Sequence, residues 1–185
     1  MEESISETQK LVTVFSFYRD SELRGARLLL NLHSHLHDAD SQKKLSRHLA
    51  DETRHAWLWT KRIADLGAAP LSVSDGYQRR LGVRVGVPKD DLELLALTVI
   101  AESRALDRYG THAGLPDTDP QTLEVLKVVS ADESWHLAWV EEKMRELAEI
   151  RGEPERVDKI LKRYRMLERQ AYATFLADEA ELMRR

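Results

Sequence analysis

The sequence predicts an all-α fold: a four-helix bundle with a long crossover between its second and third helices and an additional C-terminal helix. Three observations carry this. Apolar residues recur at helical spacing through five long segments. Leu, Ala, Glu and Arg dominate while β-branched runs are scarce, which favours helix over sheet. The connections alternate between short and long, with capping residues, Gly and Pro at their edges.

The first helix is expected from about Glu7 to His37, with Leu11, Val14, Phe15, Tyr18, Glu22, Ala26, Leu29, Leu30 and His33 along one broad face. A polar turn over His37 to Ser41 follows, in which Asp40 or Ser41 suits the cap of the next helix. That helix runs from about Ser41 to Leu66 and stops at Gly67, with Pro70 just beyond. Residues 68–89 hold Pro70, Gly76, Gly82, Gly86 and Pro88, a long connection with room for a short helical turn. Parallel neighbours need such a crossover, because a short loop makes antiparallel ones. The third helix starts at Lys89 or Asp90 and ends by Gly110. A loop from His112 to Asp117 leads to Asp119-Pro120, a cap followed by proline in the first turn of the fourth helix. The fourth ends near Arg151, before Gly152, and the fifth fills Glu153 to about Met183. Val157, Ile160, Leu161, Tyr164, Leu167, Ala171, Phe175 and Leu176 give that last helix an apolar stripe, to pack on the bundle or to join two chains as a homodimer.

Composition bounds the function. A chain of 185 residues suits a single domain, 1–185, with the four-helix bundle over about 7–151 and the extra helix over about 153–183. The net charge of −4 gives no reason to expect nucleic acid or an anionic membrane as partner. With no cysteine, disulfides, thiolate metal sites and Cys nucleophiles are excluded. The N-terminus is acidic and polar, unlike a signal peptide, and no apolar run is long enough to span a bilayer. A cytoplasmic protein is expected.

One ligand pattern is repeated. Glu22 is followed 30 residues later by Glu52 with His55, and Glu102 is followed 31 residues later by Glu133 with His136. On a helix, residues i and i+3 share a side, so each Glu-x-x-His can offer an oxygen and a nitrogen to one ion. Four carboxylates and two imidazoles are the set by which a four-helix bundle holds two iron or manganese ions. Four carboxylates also balance two divalent charges; without metal some of them should take up protons. Each motif is preceded by an aspartate, Asp51 or Asp132. These are expected to accept the outer N–H of a ligating imidazole, each reaching across to the other helix's histidine. Gly25 and Ala105, three residues after the lone glutamates, leave room for dioxygen or substrate, or serve close helix packing. Tyr18 and Tyr109 could bond a ligand carboxylate, serve in redox, or be core residues. His33, His35, His37, His48 and His112 read as structural or solvated, and the Arg79, Arg80 and Arg84 cluster as an exposed patch.

At Glu22, Glu52, His55, Glu102, Glu133 and His136 the chain resembles the ferritin-like di-iron carboxylate superfamily, over about residues 10–150. Equal Glu-x-x-His motifs in both halves are similar to the rubrerythrin and di-iron hydroxylase branches. The resemblance implies two iron ions, with manganese the alternative, and an oxidoreductase that activates dioxygen or peroxide. Its implied activities are hydroxylation of a small organic substrate, with an electron donor, or peroxide and oxygen detoxification, or non-catalytic iron binding or ferroxidase-linked storage without turnover on a small molecule. Two departures stand out: no Cys pair follows the bundle, and the last helix is longer than the short terminal helix of a cage-forming ferritin.

Overall fold

The computed structural model describes residues 5–184, and the regular structure among them is helical: α1 (Glu7–His33), α2 (Ala39–Asp65), α3 (Tyr77–Val85), α4 (Asp91–Ala113), α5 (Pro120–Ile150) and α6 (Glu155–Leu182). The predicted third, fourth and fifth helices are thus α4, α5 and α6, and the short turn expected in the crossover is the full helix α3.

Local chemistry sets the ends. Ser6 and Gln9 close a reciprocal capping box on α1, while Asp38, Asp90 and Asp119 accept from backbone N–H groups at the starts of α2, α4 and α5. The cap of α2 is therefore Asp38, not Asp40 or Ser41. Gly67 and Gly152 adopt φ of +75° and +70°. Each closes a paired C-terminal bond set: Ala68 N–H to Ile63 O with Gly67 N–H to Ala64 O, and Glu153 N–H to Ala148 O with Gly152 N–H to Glu149 O. The first helix ends at His33, short of the predicted His37. The Gln42 side-chain amide, from the first turn of α2, donates to the carbonyls of His33 and Leu36. Those carbonyls are satisfied without another helical turn, and Leu36 folds into the core. The histidines at 33, 35 and 37 stay exposed.

The pairs α1/α2 and α4/α5 form the bundle, and α3 and α6 pack together against it. Helix α6 buries Val157, Ile160, Leu161, Tyr164, Ala171 and Phe175 there, so its apolar stripe packs on its own chain. Ion pairs fasten this layer: Arg104 with Glu168, and Arg108 with Glu179. The predicted Arg79/Arg80 patch is largely paired, Arg79 with Asp75 and Arg80 with Asp75 and Asp178.

The core is split. One apolar cluster contains Leu29, Leu32, Leu45, Leu92, Leu95, Val99, Trp139, Val140 and Met144. The other contains Val12, Phe15, Tyr18, Trp59, Ile63, Tyr109, Leu126 and Val129. On every bundle helix the residues between these two sets are the ligand candidates: Glu22 on α1, Glu52 and His55 on α2, Glu102 on α4, Glu133 and His136 on α5. The fold delivers them as one polar layer between two dry ones.

Candidate metal centre

The four glutamates and two histidines are all buried, at 0–4% exposure. A polar layer this dry is stable only if its charges are compensated. His55 Nδ1 lies 3.3 Å from Glu22 Oε2 and 3.2 Å from Glu133 Oε1. His136 Nδ1 lies 3.0 Å from Glu133 Oε2 and 3.5 Å from Glu52 Oε1. Two groups of four donors result, each with its ligand atoms within 4.8 Å of one another: Glu22, Glu52, His55 and Glu133, and His48, Glu52, Glu102 and His136. Glu52 belongs to both.

His48 was not among the predicted donors. It is fully buried within the polar layer rather than solvated, with Nε2 3.2 Å from Glu102 Oε1 and 3.5 Å from Glu52 Oε1. Its ring stacks on that of His136 at 3.6 Å. The signal was present: His48 precedes Glu52 by four residues and His55 by seven, which puts all three on one helical face. A two-motif template hides a third histidine of this kind. His112 also departs from the loop reading; it lies in the last turn of α4, buried, with Nδ1 3.1 Å from the Tyr18 hydroxyl.

The aspartates cross over between helices. His55 Nε2 lies 3.1 Å from Asp132 Oδ2, and His136 Nε2 lies 3.4 Å from Asp51 Oδ2. The Arg54 guanidinium joins the two carboxylates, 2.8 Å from Asp51 and 2.6 Å from Asp132. Tyr109 donates its hydroxyl to Glu22. Tyr18 reaches none of the donors; it packs edge-on against Tyr109 with ring centroids 5.0 Å apart. Trp59 and Trp139 are core residues, Trp135 is half-buried beneath the Arg47 guanidinium, and Trp57 is exposed.

Gly25 has a specific reason to be glycine. A Cβ at this position would fall against the Glu52 carboxylate, within 3.1 Å of Cδ and closer to Oε2. The missing side chain houses the shared carboxylate rather than a substrate. Ala105 lines a cleft of about 20 Å³ beside Tyr18 and Tyr109.

Electrostatics follow from burial and crowding. Burial, with Glu102, Glu133 and Glu22 as like-charged neighbours, holds the Glu52 carboxyl well above the carboxylate range. Burial and Glu133 push Glu102 up to about 8, and burial raises Glu133. Burial opposes a charge on His55, but Glu133 and Glu22 outweigh it and lift the group to about 11. Burial depresses His48 and His136. In metal-free protein, protons therefore substitute in part for the missing positive charge. Three buried atoms that face the cluster lack hydrogen-bond partners: His48 Nε2, Glu52 Oε1 and His55 Nδ1. Unpartnered imidazole nitrogens and a carboxylate oxygen, with no thiolate, form a donor set that fits iron or manganese.

No protein-family model and no curated protein matches the chain. Among solved structures it is similar to the bacterioferritin-related protein of Bacteroides fragilis, a dodecameric thioferritin, with a TM-score of 0.64 and 20% identity over 79% of this chain and 90% of that one. At that identity the likeness speaks for the fold: the chain is a ferritin-like helical bundle.

Proposed function

We propose that this chain binds two iron ions in the polar layer and oxidises them with dioxygen or peroxide, a ferroxidase-type oxidoreductase activity. The observation that carries the reading is the pair of buried four-donor groups sharing Glu52. Manganese suits the same donors; the fold shared with a bacterioferritin-related protein favours iron.

When bound, the ions supply the electrons and the open coordination positions for a small oxidant. The chain supplies the rest. Glu22, Glu52, Glu102 and Glu133 neutralise the charge, and Glu52, Glu102 and Glu133 give up the protons that burial favours on them as metal binds. Asp132 and Asp51 accept the Nε2–H of His55 and His136, which aims each Nδ1 at the carboxylates, and the second proton that Glu133 and Glu22 favour on His55 would leave as metal binds. Tyr109 fixes Glu22. The apolar layers on both sides keep water out and strengthen every charge interaction inside.

The room beside the site favours iron oxidation over hydroxylation of an organic substrate. The cleft next to Tyr109 and Ala105 admits a diatomic molecule or a water, not a ring or chain. A larger hollow of about 610 Å³ lies between α1, α3 and α4, lined by Arg24, Arg27, Leu28, Gln78 and Leu97 among others and by none of the seven donors. The test is an anaerobic ferrous titration of metal-free protein, followed by admission of dioxygen. Two irons per chain, converted to ferric iron without an added organic substrate, are expected. Binding of two irons that stay ferrous in air would refute the ferroxidase reading.

A further inference from the structure

The three histidines of the layer are not wired alike. His55 and His136 each turn Nε2 toward an aspartate, so a proton is held there and Nδ1 is the nitrogen aimed at an ion. His48 is the reverse case. Its Nδ1 lies 3.2 Å from the indole Nε1 of Trp139, inside the core. An indole N–H only donates, so His48 Nδ1 must be the acceptor. A neutral imidazole has one acceptor and one N–H, which puts the proton on Nε2, the nitrogen that faces Glu102 and Glu52. That nitrogen has to be bare to bind a metal.

We propose that His48 is a gated metal ligand, with Trp139 as the gate, so that the two metal positions fill unequally. The inference rests on the two-metal reading above. The position formed by Glu22, Glu52, His55 and Glu133 has its only imidazole already turned with Nδ1 inward and Nε2 anchored on Asp132, and it fills first. The position formed by His48, Glu52, Glu102 and His136 gains its second nitrogen only when the His48 proton moves from Nε2 to Nδ1. No proton is lost in that move, but Nδ1 then becomes a donor and the Trp139 hydrogen bond breaks. The ring stays in place throughout, held by its stack on His136. The second ion is therefore the more weakly held and the more readily exchanged.

The test uses zinc, a redox-inert probe that takes the same carboxylate and imidazole donors. Full-length protein carrying 15N-labelled histidine and tryptophan is titrated and followed by NMR. In metal-free protein the His48 proton is expected on Nε2. The first equivalent of zinc should shift His55 and leave His48 and the Trp139 indole N–H unchanged. The second should move the His48 proton to Nδ1 and release the indole N–H. Trp139→Phe should strengthen the second binding step by about two- to tenfold, the range of one lost hydrogen bond. His48→Leu should weaken the second step and spare the first. The inference is overturned if His48 carries its proton on Nδ1 without metal, or shifts with the first equivalent. It is equally overturned if His48 keeps Nε2–H with two zinc ions bound, in which case the two-metal reading survives alone. Absence of any zinc binding would sink both. Because the NMR arm uses the unaltered sequence, the test does not depend on the Trp139 variant folding.

Discussion

Gly25→Ala tests the layer at the carboxylate that both donor groups share. Glycine in the interior of α1 weakens the helix by about 1 kcal/mol relative to alanine, so its presence needs a reason. The geometry gives one: an added Cβ would lie 3.1 Å from Glu52 Cδ and nearer still to Oε2. Carbon pairs prefer about 3.5–4.0 Å, so Glu52 must retreat by about 1 Å. Metal sites tolerate displacements of only about 0.2 Å. Misplacing a ligand this far should weaken metal binding by at least the roughly 10- to 100-fold typical of altering a group that merely orients a ligand. The metal-free protein should respond the other way. The end of the Glu52 side chain can swing, and the gain in helix propensity should raise Tm by up to roughly 2–4 °C. The assay pairs thermal denaturation of metal-free protein with a competition titration against a chelator of known affinity. A variant that binds two metal ions as tightly as the parent would refute the claim that Gly25 makes room for Glu52. A large fall in metal-free Tm would show that the clash is with packing instead.

Asp132→Asn takes the carboxylate from His55 Nε2 and from Arg54, and should cost about tenfold in zinc affinity. Asp51→Asn, acting across 3.4 Å instead of 3.1 Å, should cost less, and unchanged affinity in both would remove the orienting role. Tyr109→Phe deletes the donor to Glu22 and should weaken metal binding by about two- to tenfold with the helical circular dichroism retained; parental affinity would make the bond incidental. The metal-free protein should lose stability as pH rises from about 6.5 to 8. Glu102, raised to about 8, and His55, raised to about 11, both bind more protons folded than unfolded in that window, and stability falls with pH wherever the folded state holds more protons. Below about 6.5 the depressed His48 and His136 pull the opposite way, because unfolding lets them take up protons. Urea denaturation at pH 6.5, 7.25 and 8 checks the sign, and stability that climbs across the window contradicts it.

Most of the site could be read in the sequence because helical spacing converts directly into geometry. Glu52 and His55, three apart, must share a face, and so must Glu133 and His136. The apolar neighbours of each lone glutamate announce which way it points. The crossing of Asp51 and Asp132 to the opposite histidines also follows from two motifs meeting across one axis. What stayed hidden depends on contacts between helices. The end of α1 at His33 is marked locally only by the Ser34 hydroxyl, which donates to the Asn31 carbonyl, and is fixed by the Gln42 side chain arriving from α2. The shelter for Glu52 comes from Gly25 on a different helix, so spacing along α1 left room for a small molecule and close packing both open and did not name the carboxylate that fills the space. His48 was hidden for another reason: a template of two Glu-x-x-His motifs has no place for a third histidine, although its own register with Glu52 placed it inside.

The two halves of the chain repeat in their ligands and diverge in their neighbours, and the divergence decides what the site can do. Four residues before Glu52 stands His48; four before Glu133 stands Val129, fully buried in an apolar cluster. Three residues after His136 stands Trp139, which bonds His48; three after His55 stands Leu58, which bonds no imidazole. Seven residues after Glu102 stands Tyr109, which grips Glu22; seven after Glu22 stands Leu29, buried and apolar. Each replacement adds a polar contact to one half where the other has only packing. A symmetric layer would hold two equivalent ions and offer no order of filling. Here the polar additions fall on opposite sides: Tyr109 steadies Glu22 in the group that has one imidazole, and Trp139 restrains His48 in the group that has two. The first position is thereby made rigid and the second conditional. The ferroxidase cycle proposed above would use that difference, because an ion held at a conditional position is released more readily than one held at a rigid position.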